Sequence, residues 1–207
     1  MNLLVIRHGQ SEADILEVME GRADFNLTDL GKKQALLMAD WIAQNYKVDK
    51  IFSSPLKRAS QTATILSERI GIEIIYDDDL MEWQNGIIAG MPYEEARVKY
   101  PKPEPKYSHT AVYKQESDIH FRMRAETILS KIIYENPIDS TIAVFSHGGL
   151  INQLFNSFLR LPITSNNVYT HCGDTGIHEW RTDGNNRGII HVNLQKHLEN
   201  LCNAYQN

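Results

Sequence analysis

Cysteine is scarce in this 207-residue chain: there are two, Cys172 and Cys202, and they form no spaced set. That argues against a disulfide framework and against a cysteine-based zinc site. Long apolar runs are missing as well; none approaches the ~20 residues that span a bilayer. Positive charge is not in excess. Lysine and arginine total 21 against 26 acidic residues, a formal net charge of -5. General nucleic-acid binding is therefore not expected, and any anion site must be a local basic cluster. There is no repeat, no low-complexity segment and no secretory pattern at the start. The expectation is a cytoplasmic protein with no membrane and no nucleic-acid partner. A homodimer is allowed, but no sequence signal marks its interface.

What is present suits a packed core: 42% of residues are hydrophobic and 23% charged. The length fits one domain, 1–207, with a small insertion at about 77–116. Residues 2–6 read as a short buried strand. Residues 12–25 are mixed, loop with some helix. Thr28 reads as an N-cap for a helix to about 45, with Leu30, Leu37, Met38, Trp41 and Ile42 on or near one face. Residues 50–54 are a strand; Pro55 opens a helix that stops at Gly71. Residues 72–76 are a strand. Pro92 starts a short helix, and PKPEPKYS is a proline-punctuated loop. A helix over 117–134 carries Phe121, Ala125, Ile128, Leu129, Ile132 and Ile133 at helical spacing. A strand at 141–146, a helix at 149–160 and strands at 167–172, 175–181 and 187–193 complete the chain. Asp183-Gly184-Asn185-Asn186 supplies the last turn.

Alternating strands and helices imply an α/β fold with a largely parallel sheet. In such sheets ligands bind beyond the carboxyl ends of the strands. Two apolar strands end in chemistry there: Leu3 to Ile6 runs into Arg7-His8-Gly9, and Ile142 to Phe145 runs into Ser146-His147-Gly148-Gly149. Ser53 and Ser54 end a third. Arg7 offers a planar fork for phosphate or carboxylate, and Gly9 permits close backbone approach. Arg58 lies one turn into the following helix, and SHGG opens another helix whose N-terminal amides can face an anion. Two arginines and two histidines around one sheet edge suit a phosphate. A neutral imidazole can attack phosphorus, and adjacent arginines disfavour its cationic form. A second histidine can bond the transferring oxygens. Glu82, in LMEWQNG, is a candidate to protonate the leaving alcohol, a role that calls for a raised pKa.

RHGQS, LTDLGKKQA, SSPLKRASQTA, LMEWQNG, ESDIHFRMR and SHGG occur in the order found in the histidine phosphatase superfamily. This chain resembles its phosphoglycerate-mutase-like group over most of residues 1–160. The resemblance implies a three-layer α/β/α sandwich with a mixed, mostly parallel sheet. It implies a metal-free and cofactor-free phosphohistidine mechanism on a small phosphorylated substrate. His8 is the implied nucleophile, Arg7, Arg58 and His147 implied phosphate ligands, and Glu82 the implied proton donor. Gln10, Ser11 and Gly148 complete the implied substrate contacts. Three positions depart from the family pattern. Asp14 stands where asparagine is common, Asn26 where proline is, and Ala89 where glutamate is. An ionised Asp14 close to phosphate would repel it.

Hydrolysis is favoured over mutase chemistry. Mutases of this type usually carry an arginine-rich segment after the glutamate, whereas residues 83–116 contain only Arg97. A mutase must also keep water from its phosphoenzyme. A non-catalytic phosphate-ester-binding protein is the more distant alternative. Arg22, Phe25, Trp83 and Tyr93 are rim candidates. Duller roles compete at every position: Arg58 in a helix ion pair, Lys57 as a solvated charge, Trp41, Phe121 and Phe145 as core. His171, His178, His191 and His197 lack compact ligand spacing, so structural or solvent-exposed roles outweigh a metal site.

Overall fold

The computed structural model describes residues 1–163, 168–199 and 201. Six strands form one sheet: β1 (Asn2–Arg7), β2 (Lys50–Ser53), β3 (Ile74–Tyr76), β4 (Thr141–Ser146), β5 (Ile177–Thr182) and β6 (Arg187–Leu194). Their order is β3-β2-β4-β1-β5-β6. β3, β2, β4 and β1 run parallel. β5 is antiparallel to β1, and β6 to β5. The fold is thus α/β with a mixed, mostly parallel sheet.

Helices cover both faces, which is why β1 and β4 are apolar at consecutive positions rather than at alternate ones. Leu3, Val5, Ile142 and Val144 face α5 (Asp118–Tyr134) and α6 (Gly148–Phe158). Leu4, Ile6, Ala143 and Phe145 face α2 (Asp29–Asn45) and α3 (Lys57–Ile70). Shortening one of these buried leucines to alanine would cost about 2–5 kcal/mol. Two shorter helices, α1 (Glu12–Leu16) and α4 (Tyr93–Lys99), lie in the connections.

Local chemistry sets the helix ends. Thr28 caps α2 by accepting from the Gly31 N–H. Gly71 ends α3 at φ 73°, a left-handed conformation that glycine adopts freely. α3 begins at Lys57, two residues beyond Pro55. The Lys57 N–H, left without a partner inside the helix, donates to Asp24 Oδ1 at 2.7 Å.

The buried stripe of α2 differs from the expected one. It is Gly31, Gln34, Ala35, Met38, Ala39 and Ile42, whereas Leu37 is exposed and Trp41 only partly buried. Small residues let the helix lie close to its neighbours, and a hydrophobic count underweights them. Residues 168–172 of the expected 167–172 strand are irregular; Asn167 lies outside the described residues. The backbone there is held by α6 instead: Thr170 N–H donates to Asn152 Oδ1, and Asn156 Nδ2 donates to the Val168 carbonyl. Cys202 also lies outside the described residues. Residues 77–116 hold short turns, α4 and a long loop across one end of the sheet.

Candidate active site

β1, β2 and β4 are adjacent and parallel, so their ends deliver Arg7, Ser53 and Ser146 to one edge. His8, Ser54 and His147 come directly after them. The two imidazoles lie with ring centroids 5.1 Å apart, and both are fully buried.

The hydrogen bonds of His8 assign its tautomer. Nδ1 lies 2.8 Å from the Gly9 carbonyl. A carbonyl only accepts, so Nδ1 carries the proton and Nε2 the lone pair. Nε2 faces Arg58 Nε at 3.3 Å, a donor that suits a lone pair. Burial, with Arg58 and Arg7 adding to it, pushes the His8 pKa well below the usual histidine range. The ring is therefore neutral and fixed in one tautomer, with its Nε2 lone pair available. His147 is neutral for the same reasons: burial first, then Arg58, His8 and Arg7. Its Nε2 pairs with Ser54 Oγ at 2.9 Å, and its buried Nδ1 has no partner among the described residues.

Arg58 is completely buried. Its Nη1 and Nη2 donate to the carbonyls of Ala23 and Gly21 at 3.0 and 2.7 Å, which fixes the fork. Its Nε lies 3.1 Å from Glu20 Oε1. Arg7 donates to the Cys172 carbonyl at 2.8 Å and lies 3.4 Å from Asp174 and 3.7 Å from Asp14. Asp14 turns its Oδ2 to Ser11, accepting from the N–H and the hydroxyl at 2.8 and 3.0 Å. It thus stands beside the Arg7 fork while closing the first turn of α1.

Glu82 reaches the start of α6. Gly149 N–H donates to its Oε2 at 2.9 Å, and Trp83 N–H to its Oε1 at 2.8 Å. Gly149 leaves room for this carboxyl: a Cβ there would lie 3.0 Å from Glu82 Cδ and collide with Oε1, so the carboxyl would have to move. The loop that carries Glu82 hangs on Arg124, which donates to the carbonyls of Asp79, Met81 and Glu82 and pairs with Glu116. Arg22 Nε also donates to the Glu82 carbonyl.

Gly9 has a different use from close approach to a ligand. A Cβ at Gly9 would stand 2.6 Å from the Gly31 carbonyl oxygen, and one at Gly31 would collide with the Gln10 carbonyl oxygen. The pair lets the loop after β1 lie directly on α2. Gln10 belongs to that contact. Its N–H donates to Gln34 Oε1, and its side-chain oxygen accepts from the Thr28 hydroxyl at 2.8 Å. Gly148 opens α6 after His147.

Arg7, His8, Ser11, Arg58 and His147 are therefore gathered around one small volume, with Glu82 on its α6 side. Sequence reasoning passed over Glu20, whose carboxylate stands 3.8 Å from His8 Nε2. A glutamate beside a glycine in an irregular stretch carries no periodic signal. The four C-terminal histidines lie elsewhere: His178 and His197 are buried, and His197 pairs with Thr175. Among the described residues, no three His, Cys, Asp or Glu side chains are grouped to hold a metal ion.

A doubly covered α/β sheet whose parallel edge presents paired histidines and arginines defines a class of oxyanion-handling protein. Comparison supplies the particular family. The family model of the Histidine phosphatase superfamily (branch 1) matches residues 3–195, and the chain belongs to that superfamily. Phosphoglycerate mutase-like protein 4 of Arabidopsis thaliana is 30% identical over 74% of this chain and 69% of its own. Putative phosphoserine phosphatase 2 of Hydrogenobacter thermophilus is 29% identical over 96% and 98%. Among solved structures, mycobacterial glucosyl-3-phosphoglycerate phosphatase with VO3 superposes with a TM-score of 0.80 at 24% identity, covering 93% of this chain and 98% of that one. Bacillus stearothermophilus YhfR gives 0.84 at 22%, covering 96% and 99%.

Proposed function

We propose that this protein is a metal-independent phosphatase that hydrolyses small phosphomonoesters through a phosphohistidine. The observation that carries the reading is the locked tautomer of His8. Its Nδ1 proton is spent on Gly9, so Nε2 carries the lone pair and presents it to the Arg58 guanidinium, where an anionic phosphoryl group would be held. His8 Nε2 attacks phosphorus and the ester P–O bond breaks. Arg7, Arg58 and His147, with the unpartnered Nδ1 of the last, stabilise the equatorial oxygens. Glu82 gives its proton to the leaving oxygen; each of its oxygens keeps a lone-pair direction free beyond its N–H partner. Water then attacks the phosphohistidine with Glu82 as base, releasing phosphate and restoring His8.

The alcohol half has room. A cavity of about 580 Å³ is lined by Met19, Trp83, Ile88, Tyr93, Tyr100 and Tyr113, with Lys106 at its side. Trp83 and Lys106 also wall the recess that holds Glu82 and Gly149. Relatives named as phosphoserine and glucosyl-3-phosphoglycerate phosphatases support small phosphomonoesters as the substrate class. Hydrolysis is favoured over transfer because Arg97 is bound to Glu94 through both carboxylate oxygens and is exposed. The test is phosphate release from p-nitrophenyl phosphate with EDTA present, for the wild type and His8→Ala. Turnover by the wild type alone, with an acid-labile phosphoenzyme, is expected. Equal activity in both, or strict dependence on added divalent metal, refutes the mechanism.

A further inference from the structure

We propose that Glu20 makes oxyanion binding in this pocket proton-coupled: the site takes a phosphoryl-like dianion together with one proton, held by the Glu20 carboxyl. The proposal rests on the phosphoryl-site reading above and concerns what that site demands of its ligand.

The geometry is the starting point. Glu20 Oε1 lies 2.6 Å from Ser11 Oγ and 3.1 Å from Arg58 Nε, and Oε2 lies 3.8 Å from His8 Nε2. Arg58 Nε carries one hydrogen, and it faces both Glu20 and His8. A phosphoryl group in attack position sits about 3–3.5 Å from the nucleophile. It must therefore lie against the Glu20 carboxylate and compete with it for the Arg58 donor. The protein has placed an anion of its own where an anionic ligand must go.

The hydrogens around Ser11 then have to be counted. Ser11 Oγ is fully buried and has one proton to give. It faces two carboxylate oxygens, Glu20 Oε1 at 2.6 Å and Asp14 Oδ2 at 3.0 Å. With both acids ionised, one contact lacks a hydrogen, and the Arg58 Nε–H on Glu20 Oε1 offsets it until a ligand takes that donor. With a proton on Glu20, every contact is satisfied: Glu20 donates to Ser11, and Ser11 donates to Asp14.

Of the charges facing Glu20, Arg58 favours the carboxylate most, so it is the loss of that donor to a ligand that favours the proton. Arg58 from α3 and Arg7 from β1 oppose Asp14 from α1. Asp174 cancels further positive charge at Arg7. His8 and His147 are neutral, and the Tyr93 phenol on α4 also feels the Glu20 charge. Two cations already face three carboxylates before a dianion arrives. Burial raises the Glu20 pKa even without a ligand, despite the pull of Arg58. A bound dianion raises it further. A protonated Glu20 ceases to repel and becomes a donor, to Ser11 or to a ligand oxygen.

Tungstate is the probe, because it is a tetrahedral dianion that takes up no proton itself near neutral pH. Titration calorimetry at pH 7.5 in buffers of different ionisation enthalpy reads the protons bound per tungstate. The wild type should take up about one, and its affinity should fall about tenfold per pH unit between pH 6.5 and 8. Glu20→Gln and Glu20→Ala should take up almost none. Their affinity should be flat with pH, and Glu20→Gln should bind about tenfold or more tighter than the wild type at pH 8. Absence of uptake in the wild type overturns the proposal whatever the variants do. Uptake that persists in both variants puts the proton on a histidine and overturns it as well. Tungstate binding and normal turnover without proton uptake leave the phosphatase reading standing; failure to bind tungstate at all removes both.

Discussion

Replacing Gly149 by alanine separates the chemistry of the leaving group from that of the nucleophile. The added Cβ would lie 3.0 Å from Glu82 Cδ and 3.1 Å from Oε2, and would collide with Oε1. The carboxyl is the far end of a flexible chain, so it moves while α6 stays. Two effects on stability then oppose each other. Alanine favours helix over glycine by up to about 1 kcal/mol. Losing the Gly149 N–H bond to a carboxylate costs about 1.5–3 kcal/mol, part of which water returns at a half-buried side chain. The net loss should stay under about 2 kcal/mol, or roughly 4–8 °C in Tm for a chain of this size. Activity should respond to the leaving group. General acid catalysis contributes about 10²–10⁴-fold, so an alkyl phosphate should lose on the order of 100-fold in kcat. p-Nitrophenyl phosphate, whose phenolate leaves without a proton, should change by less than about threefold. Paired kcat measurements on the two esters decide it. Full activity on the alkyl ester would mean that Glu82 is not the acid. An equal loss on both would mean that the substitution damages the phosphate pocket itself.

Acid should destabilise the fold through buried histidines. Burial pulls His178 and His197 down to about 4. Between about pH 4 and 6.5 the unfolded chain therefore binds more protons than the native one, so stability is complete above about 6.5 and falls as pH drops toward 4. Each shift corresponds to about 3 kcal/mol at most. Tm measured from pH 7.5 to 4.5 should fall more for the wild type than for His178→Gln; identical losses would refute this. Arg124→Met should remove the bracket on residues 79–82 and leave Glu116 without its cation. With both partners nearly buried, about 2–4 kcal/mol should be lost by urea unfolding. kcat should fall with it, because Glu82 loses its anchor.

The central strands and the placement of Arg7, His8 and His147 at their ends were legible because each is a local pattern with a local cause. A short run such as Leu3-Leu4-Val5-Ile6, stopped at Arg7-His8-Gly9, suits a doubly covered strand, and the residues just after it lie at the sheet edge. Thr28 and Gly71 announced helix ends in the same way. Other features depend on partners distant in sequence. The stripe of α2 was misjudged because glycine and alanine face the core there while Leu37 faces solvent. Residues 168–172 carry strand-like residues, yet their backbone is satisfied by Asn152 and Asn156 of α6. Glu20 escaped notice since its meaning lies wholly in Ser11, Arg58 and His8 around it.

β1 leads directly into His8, yet both strands that flank it come from much later in the chain: Leu3 pairs with Ile142 on one side and Trp180 on the other. During synthesis the first strand therefore waits, unpaired, until most of the polypeptide has been made. Such distant pairings also slow folding. The His8 imidazole acquires its dry surroundings only when those pairings form. On the proposed mechanism, a half-made chain carries His8 as a solvated histidine and turns over no phosphate ester until the fold is in place.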